Sequence, residues 1–140
     1  MYWCVEENKG VFHKMSLESI YREQIMDHYR NPRNQGSLAS CSFSCVEQNP
    51  FCGDEIKIEA IIENERICDI KFCGKGCSIS QAAASMLTEA VKGKSLNDVK
   101  ELTREKIVEM LAIPVGAVRI KCAVLSLVAL KNGITQFSGE

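Results

Sequence analysis

The spacing of apolar residues along the chain changes from a helical period to a strand period and back. Apolar side chains recur every three or four positions over about Leu17 to Arg30, which predicts a helix that Ser16 caps and Asn31-Pro32 ends. Alternating apolar and polar residues then predict strands over about Cys41–Gln48, Glu55–Glu63 and Arg66–Cys73. Short links between the strands, including a hairpin turn at Asn64-Glu65, indicate an antiparallel meander.

The helical period returns after Gly74-Lys75-Gly76, where we predict a break in the chain. Helices are expected over about Ser78–Val91, over two short segments capped by Ser95 and Thr103 (the second reaching Leu111), and over about Ala117–Lys131. Asn132-Gly133 predicts a left-handed cap for the last helix, which is apolar on most sides and should be buried. The order predicts an α+β fold, a three-stranded antiparallel sheet packed against helices in a two-layer sandwich.

The segment before Met15 differs from the rest of the chain. Residues 1–15 show neither period and have no apolar core of a targeting signal, so we expect an N-terminal tail, disordered or a non-native start. Residues 16–140 have the length of one compact domain. Because nothing directs secretion, we expect a cytoplasmic protein.

The charge balance narrows the possible partners. The chain has 17 basic and 18 acidic residues, a net charge of −1, and no strong basic block, which gives little reason to expect nucleic acid. No apolar run approaches the roughly 18–20 residues that span a bilayer, so no membrane partner is expected.

Eight cysteines are many for a chain of 140 residues. In a secreted protein they would indicate disulfides. In a reducing compartment they indicate metal or sulfur chemistry, with some thiols packed as small hydrophobic groups. Since the chain carries no secretion signal, we favour metal or sulfur chemistry.

Cys52 lies in Asn49-Pro50-Phe51-Cys52-Gly53-Asp54, a turn sequence between two predicted strands. Gly53 allows a sharp bend there. The sulfur of Cys52 and the carboxylate of Asp54 can then face one point, and either can ligate a metal.

Two further cysteines have neighbours that favour a thiolate. Cys77 opens a predicted helix just after Lys75, and helix amides and the helix dipole stabilise a negative charge at that end. Cys122 lies in the last predicted helix, close to the cationic Arg119 and Lys121. The intervals between the three cysteines are not those of zinc fingers, so spacing alone is a weak signal.

The other cysteines and both histidines have simpler explanations. Packing in a strand or the core explains four cysteines better than ligation does: Cys41, Cys45, Cys68 and Cys73. Of these, Cys73 is the one expected near the predicted site, because it precedes Cys77 by only four residues. Cys4 is expected to be free in the tail. We expect His28 to lie at the C-terminal end of a helix and His13 to be exposed to solvent, so neither is expected to be a metal ligand.

Four motifs follow one another along the chain: Tyr21-x-x-x-Ile25-Met26-Asp27-His28-Tyr29-Arg30-Asn31-Pro32-Arg33-Asn34, Asn49-Pro50-x-Cys52-Gly53-Asp54, Gly76-Cys77-Ser78-Ile79-Ser80-x-Ala82-Ala83-Ala84-Ser85-Met86 and Lys121-Cys122. In this order they resemble the U-type iron–sulfur cluster scaffold family, which includes IscU, SufU and the N-terminal domain of NifU. The resemblance covers about Ile20 to Gly133. It implies a SufE/NifU-like sandwich and a labile [2Fe–2S] cluster or a Zn²⁺ ion held by Cys52, Asp54, Cys77 and Cys122.

The chain departs from both IscU and SufU near the last cysteine. IscU proteins carry a compact Leu-Pro-Pro-Val-Lys chaperone-binding motif where this chain has Ile113-Pro114-Val115-Gly116-Ala117-Val118-Arg119, so binding to an Hsp70-type chaperone has little support. IscU proteins have histidine just before the last cysteine, whereas this chain has Lys121. In this respect the chain resembles SufU. The interval from Cys77 to Cys122 is nevertheless too short for the insertion that SufU proteins carry.

The resemblance implies a scaffold that accepts sulfur from a cysteine desulfurase, binds iron, builds the cluster and transfers it to apo iron–sulfur proteins. Cys122 and Cys52 are the candidate persulfide acceptors. The alternative is a SufU-like zinc-dependent sulfurtransferase that relays persulfide sulfur from a desulfurase. A structural zinc module without turnover is a third possibility, which ligands on loops and helix ends make less favourable.

Overall fold

The computed structural model describes residues 17–50, 53–112 and 115–139. In these ranges the chain forms a three-stranded antiparallel sheet of order β1-β2-β3 and six helices. The elements are α1 (Leu17–Arg30), β1 (Phe43–Asn49), β2 (Asp54–Glu63), β3 (Arg66–Lys75), α2 (Ser78–Val91), α3 (Leu96–Lys100), α4 (Arg104–Leu111), α5 (Ala117–Ala123) and α6 (Leu125–Ser138). The predicted α+β class and the antiparallel sheet are confirmed.

The hairpin between β2 and β3 has the geometry that its sequence predicts. Asn64 and Glu65 both have positive φ, 55° and 62°, and Glu63 pairs with Arg66 on either side of them. Two consecutive residues with positive φ form the type I′ turn, whose twist matches that of the strands. Asparagine tolerates this region of backbone space better than most residues, which explains the first position.

The two faces of the sheet carry different side chains. The inner face carries fully buried side chains of the two longer strands, among them Ile56, Ile58 and Phe72, and packs against α2 and α6. Because side chains alternate along a strand, the intervening positions face the other way. This outer face includes Val46, Lys57 and Cys73, which the register aligns across the three strands.

Helix α2 is buried on nearly all sides. It contacts α1, α5, α6 and β3, and three successive small residues, Ala82 to Ala84, allow these neighbours to approach closely. The end of α1 is joined to it by Ser85, whose Oγ lies 2.7 Å from Nδ1 of His28 and accepts the Arg33 N–H at 2.9 Å. Arg33 also pairs with Asp27 at 2.6 Å.

The boundaries of α1 to α4 agree with the predicted ones. The bounds of α1 and α2 are those expected. Ser95 Oγ accepts the Asp98 N–H at 3.2 Å and begins α3, and Thr103 Oγ1 accepts the Lys106 N–H at 3.3 Å and begins α4. The predicted cap Ser16 lies outside the described residues.

The predicted break at Gly74-Lys75-Gly76 is wrong in its position, because β3 continues to Lys75. A Cβ atom on Gly74 would overlap the backbone carbonyl of Glu55. Glycine therefore serves here to bring β3 close to β2, and the chain leaves the strand only at Gly76.

The predicted single last helix is also wrong. The chain interrupts the helix at Val124 and begins α6 at Leu125, which then continues through Gly133 to Ser138. A Cβ atom on Gly133 would overlap the ring of Phe43, so this glycine allows α6 to lie against β1. The left-handed cap is Gly139, with φ 75°. The burial predicted for this segment holds for one side of α6, whereas Val128 and Phe137 are exposed.

The first strand begins at Phe43 rather than at the predicted Cys41, so Cys41 precedes it and is exposed.

None of the described helices is both long and apolar enough to cross a membrane. The division into a tail and one domain stays a prediction, since residues 1–16 lie outside the described ranges.

Candidate metal centre

Three predicted ligands come together at one end of the sheet. A carboxylate oxygen of Asp54 and the sulfur atoms of Cys77 and Cys122 all lie within 4.8 Å of one another. They belong to three separate elements, since Asp54 begins β2, Cys77 immediately precedes α2, and Cys122 lies in α5. Among the described histidine, cysteine and acidic residues, this is the group of three that could hold a metal ion.

Asp54 is buried, with 2% of its surface exposed, and it joins the sheet to α2. Its Oδ1 atom accepts the backbone N–H of Cys77 at 3.1 Å, and its Oδ2 atom lies 3.8 Å from the Cys77 sulfur. Gly76 makes this approach possible, because a Cβ atom there would lie 2.7 Å from Cγ of Asp54. One oxygen of the Asp54 carboxylate thus accepts a backbone hydrogen bond, and the other lies toward the Cys77 sulfur.

Cys77 is the N-terminal cap residue of α2 and is half-buried. Its backbone is extended, and its carbonyl oxygen accepts the Gln81 N–H at 3.1 Å and the Ser80 hydroxyl at 3.0 Å. Cys77 therefore lies at the N-terminal end of α2, the position predicted for it.

Cys122 is the most enclosed of the three, with 1% of its surface exposed. Nδ2 of Asn49 lies 3.7 Å from its sulfur and is placed to donate a hydrogen bond to it. The sequence predicts Cys122 within a single last helix, whereas the structure places it in the short helix α5, from which its sulfur faces Asp54 and Cys77.

The fourth predicted ligand, Cys52, lies outside the described residues. The described residues on either side of it lie at the end of the sheet, where Asn49 pairs with Asp54. Gly53 has φ 73°, and its N–H donates to the Asn49 carbonyl at 2.8 Å, in agreement with the bend predicted at Gly53. The role of Cys52 as a ligand remains a prediction.

The supporting basic residues are distributed unequally around the site. Arg119 and Lys121 are exposed on α5, three residues and one residue before Cys122. Lys75 pairs with Glu55 in the sheet, which places it on the outer face, away from the inward-facing Asp54. The structure therefore gives Lys75 no part in the group of donors.

Four other cysteines lie apart from the donor group. Cys73 is on the outer face, so the expectation that it approaches the site is wrong. Desolvation and the Glu47 carboxylate raise the pKa of the Cys45 thiol. Partial desolvation and the Glu63 carboxylate raise the pKa of Cys68, which is exposed, as is Cys41. Protonated thiols are poor ligands, so the raised pKa of Cys45 and Cys68 does not favour ligation. The predicted packing is wrong for Cys41 and Cys68, because both are exposed.

His28 takes no part in the donor group, in agreement with its predicted role at the end of a helix. It is buried against α2 and contacts Ser85. Burial, together with the positive charge of Arg33, lowers the pKa of its imidazole and favours the neutral form.

Sequence reasoning missed Asn49, Gly76 and Gln81 as residues around the site. Asn49 and Gly76 stand in the motifs that carry the cysteines, but both were explained as turn residues. Gln81 follows Cys77 by one helical turn, is buried, and its Nε2 atom has no hydrogen-bond partner in the described part of the chain. Buried polar groups are usually paired, so this amide marks the surroundings of Cys77 as unusual.

The donor set fits a thiophilic metal. Zinc is bound by sulfur at about 2.3 Å and by oxygen at about 2.0 Å, so neighbouring donors in a tetrahedral site are roughly 3.3–3.8 Å apart. For an oxygen and a sulfur these bond lengths give about 3.5 Å. The separation of 3.8 Å between Asp54 Oδ2 and the Cys77 sulfur is already close to that value. The remaining separations, up to 4.8 Å, require only a small contraction around an ion.

Known proteins show the same combination of fold and sequence. A family model described as the NifU-like N terminal domain matches residues 20–140. The zinc-dependent sulfurtransferase SufU of Bacillus subtilis is 38% identical over 143 residues, with 89% of this chain and 95% of that protein covered. The iron–sulfur cluster assembly scaffold protein IscU of Escherichia coli is 36% identical over 124 residues, with 86% and 95% covered.

A solved structure extends the likeness to the fold. The N-terminal part of a nitrogen-fixing NifU-like protein from Brucella abortus superposes with a TM-score of 0.73 at 20% identity, and 89% of this chain and 98% of that one are covered. The residues matched by the family model, 20–140, contain Asp54, Cys77, Cys122 and every described element except the first turn of α1. The chain belongs to the family of NifU-like N-terminal domains.

Proposed function

We propose that the protein is an iron–sulfur cluster assembly scaffold. In this function it accepts sulfur from a cysteine desulfurase, binds iron, assembles a labile [2Fe–2S] cluster and passes it to apo iron–sulfur proteins. The observation that supports the proposal most directly is the group formed by Asp54, Cys77 and Cys122, two sulfurs and one carboxylate within 4.8 Å. Cys52, two residues before Asp54, would supply the fourth ligand.

The mixed donor set suits a cluster that must later leave. Four thiolates hold a cluster firmly, whereas a carboxylate is a harder and weaker ligand for iron. Asp54 therefore gives the cluster one weaker attachment. The same residue accepts the N–H of Cys77, so its position does not depend on the cluster.

Sulfur transfer requires an accessible thiolate on this chain. The thiolate attacks the outer sulfur of the desulfurase persulfide, a new S–S bond forms, and the desulfurase leaves as a thiolate, so the transfer itself is redox-neutral. Cys52 and Cys122 are the proposed acceptors. Because Cys122 is buried, α5 has to move before this residue can react. Assembly from two ferrous ions and two sulfane sulfurs needs two further electrons from a one-electron carrier.

A zinc-dependent sulfurtransferase is the second candidate function. Two sulfurs and one carboxylate within 4.8 Å are also a donor set that tetrahedral zinc accepts, and the 3.8 Å between Asp54 Oδ2 and the Cys77 sulfur is compatible with such a site. Zinc bound by these residues would keep the thiols deprotonated. Exposed Arg119 and Lys121 would offset the negative charge of the loaded site.

One experiment separates the two functions. The protein is purified without oxygen, its iron, zinc and acid-labile sulfide are measured, and it is added to a cysteine desulfurase assay. We expect a reconstituted cluster that moves to an apo-ferredoxin. Tight zinc with stimulation of the desulfurase, and no cluster transfer, would establish the sulfurtransferase instead. A Cys68→Ser variant is the control, because it removes an exposed thiol far from the donor group.

Replacing Asp54 with alanine tests the release step. If the carboxylate eases release, the reconstituted cluster should persist several times longer, as measured by the decay of its visible absorbance with a chelator present. Asp54→Asn retains an acceptor for the Cys77 N–H but removes the charge, so it should show the same gain. Faster decay in both variants would contradict the proposed role of Asp54.

A further inference from the structure

Asn49 is a buried polar residue whose side chain reaches the proposed site. It is the last residue of β1, 5% of its surface is exposed, and it pairs with Asp54 across the sheet. Its backbone carbonyl accepts the N–H of Gly53, and its Nδ2 atom lies 3.7 Å from the sulfur of Cys122. One residue thus contacts the turn before Asp54 and the most deeply buried of the three donors.

The chemistry of an amide suits this contact. The amide nitrogen of asparagine is a donor only, and sulfur in a thiolate is an acceptor. Assignment of nitrogen rather than oxygen toward Cys122 follows from this pairing. Hydrogen bonds to metal-bound sulfur orient the ligand and are one of the means by which proteins adjust a site's metal affinity and reduction potential.

Neighbouring positions show that the contact is specific to Asn49. Gln48 carries the same functional group one residue earlier, but its amide faces the other side of the sheet and donates to Glu55 at 2.8 Å. The chain therefore offers two adjacent amides, of which one contacts the donor group. This arrangement supplies a matched control within the same strand.

We propose that Asn49 is a positioning residue that donates a hydrogen bond from Nδ2 to the Cys122 sulfur. The bond holds that sulfur toward Asp54 and Cys77 and withdraws electron density from it once a metal is bound. The inference rests on the proposed function, because the electronic effect acts on a metal ligand. The contact itself exists without a metal and is tested separately.

The first test uses metal-free, ¹⁵N-labelled protein. We expect the side-chain amide signals of Asn49 to move when Cys122 is replaced by alanine, because the acceptor is lost. The Gln48 side-chain amide, bonded to Glu55, should stay in place and serves as the internal control. Unchanged Asn49 signals would overturn the proposal. This readout requires no metal and no activity.

The second test uses Co²⁺ as a spectroscopic substitute for zinc. Asn49→Ala and Asn49→Leu both lack the donor, and leucine retains a branched side chain that fills the space. We expect both to move the sulfur-to-cobalt charge-transfer band to lower energy and to weaken metal binding by about 10–100-fold. Gln48→Ala should change neither property.

The two tests distinguish the inference from the proposed function. A loss of affinity with an unchanged band would show that Asn49 only supports the fold near the site, and would overturn its electronic role. Failure of the wild-type protein to bind Co²⁺ or iron would contradict the proposed function. The amide signals of the metal-free protein would still decide whether Asn49 donates to Cys122.

Discussion

Replacing Cys122 with alanine is expected to weaken zinc binding by about 100- to 1,000-fold while the fold persists. Structural zinc sites bind with roughly 10–16 kcal/mol shared among four ligands, so one thiolate accounts for about 3–4 kcal/mol. The side chain is small and lies in a well-packed region, and its loss should lower the free energy of unfolding by about 1 kcal/mol. The large effect is therefore on the metal.

The measurement is competition for zinc against a chromophoric chelator, with urea unfolding of the metal-free protein beside it. Cys73→Ala is the matched control, since Cys73 is a half-buried thiol on the outer face of the sheet. Equal losses of zinc affinity in the two variants would contradict the site. Loss of helical structure in the metal-free wild-type protein would instead identify a structural zinc module.

The sequence was sufficient to predict the elements whose ends are determined locally. The bounds of α2 follow from an apolar period that begins at Ser78 and ends before Lys92-Gly93. The β2–β3 hairpin follows from alternation on both sides of Asn64-Glu65. In each case the residues that decide the structure are neighbours in the chain, so a pattern of a few positions contains the required information.

Glycines were the principal source of error in the predicted fold. Gly74 and Gly133 were taken as ends of elements, and both lie inside one. Each permits a close approach, Gly74 to the carbonyl of Glu55 and Gly133 to the ring of Phe43. Glycine has the same sequence signature in a turn and at a close contact, and only the distant partner distinguishes the two.

The site shows the same division between local and distant information. The thiols and the carboxylate were recognised from their neighbours in the chain, and the structure brings Asp54, Cys77 and Cys122 together. The burial of Cys122 and its contact with Asn49 depend on how α5 packs against the end of β1. No pattern within either segment predicts that contact.

The motif from Tyr21 to Asn34 contains none of the proposed ligands, but its contacts explain its structural role. Asp27 and Arg33 form an ion pair, and His28 and the Arg33 N–H meet on the hydroxyl of Ser85 in α2. Ser85 belongs to the same helix that Cys77 caps. The motif therefore fixes α1 on the helix whose first turn carries a proposed ligand, which explains its presence beside the cysteine motifs.

Replacing Gly76 with alanine is the sharpest test of how the donor group is built. The new Cβ atom would lie 2.6 Å from the Ser80 hydroxyl and 2.7 Å from Cγ of Asp54, and Gly76 has φ 155°, where side chains are strained. Asp54 is short and buried, so it can move away only by losing the Cys77 N–H. We expect a loss of about 1–3 kcal/mol in the free energy of unfolding and a fall in zinc affinity of about 10–100-fold.

The double variant Gly76→Ala, Ser80→Ala separates the two contacts. Removing the hydroxyl relieves one overlap, so unfolding stability should partly return, whereas zinc affinity should stay low because Asp54 is still displaced. Gly116→Ala is the control, with φ −68° and no atom within 4 Å of its new Cβ, and it should change either property little. If zinc affinity recovered together with stability in the double variant, the loss would come from the start of α2 rather than from Asp54. Full affinity in Gly76→Ala alone would mean that the carboxylate is not held by the contact described here, and its assignment as a ligand would then need another basis.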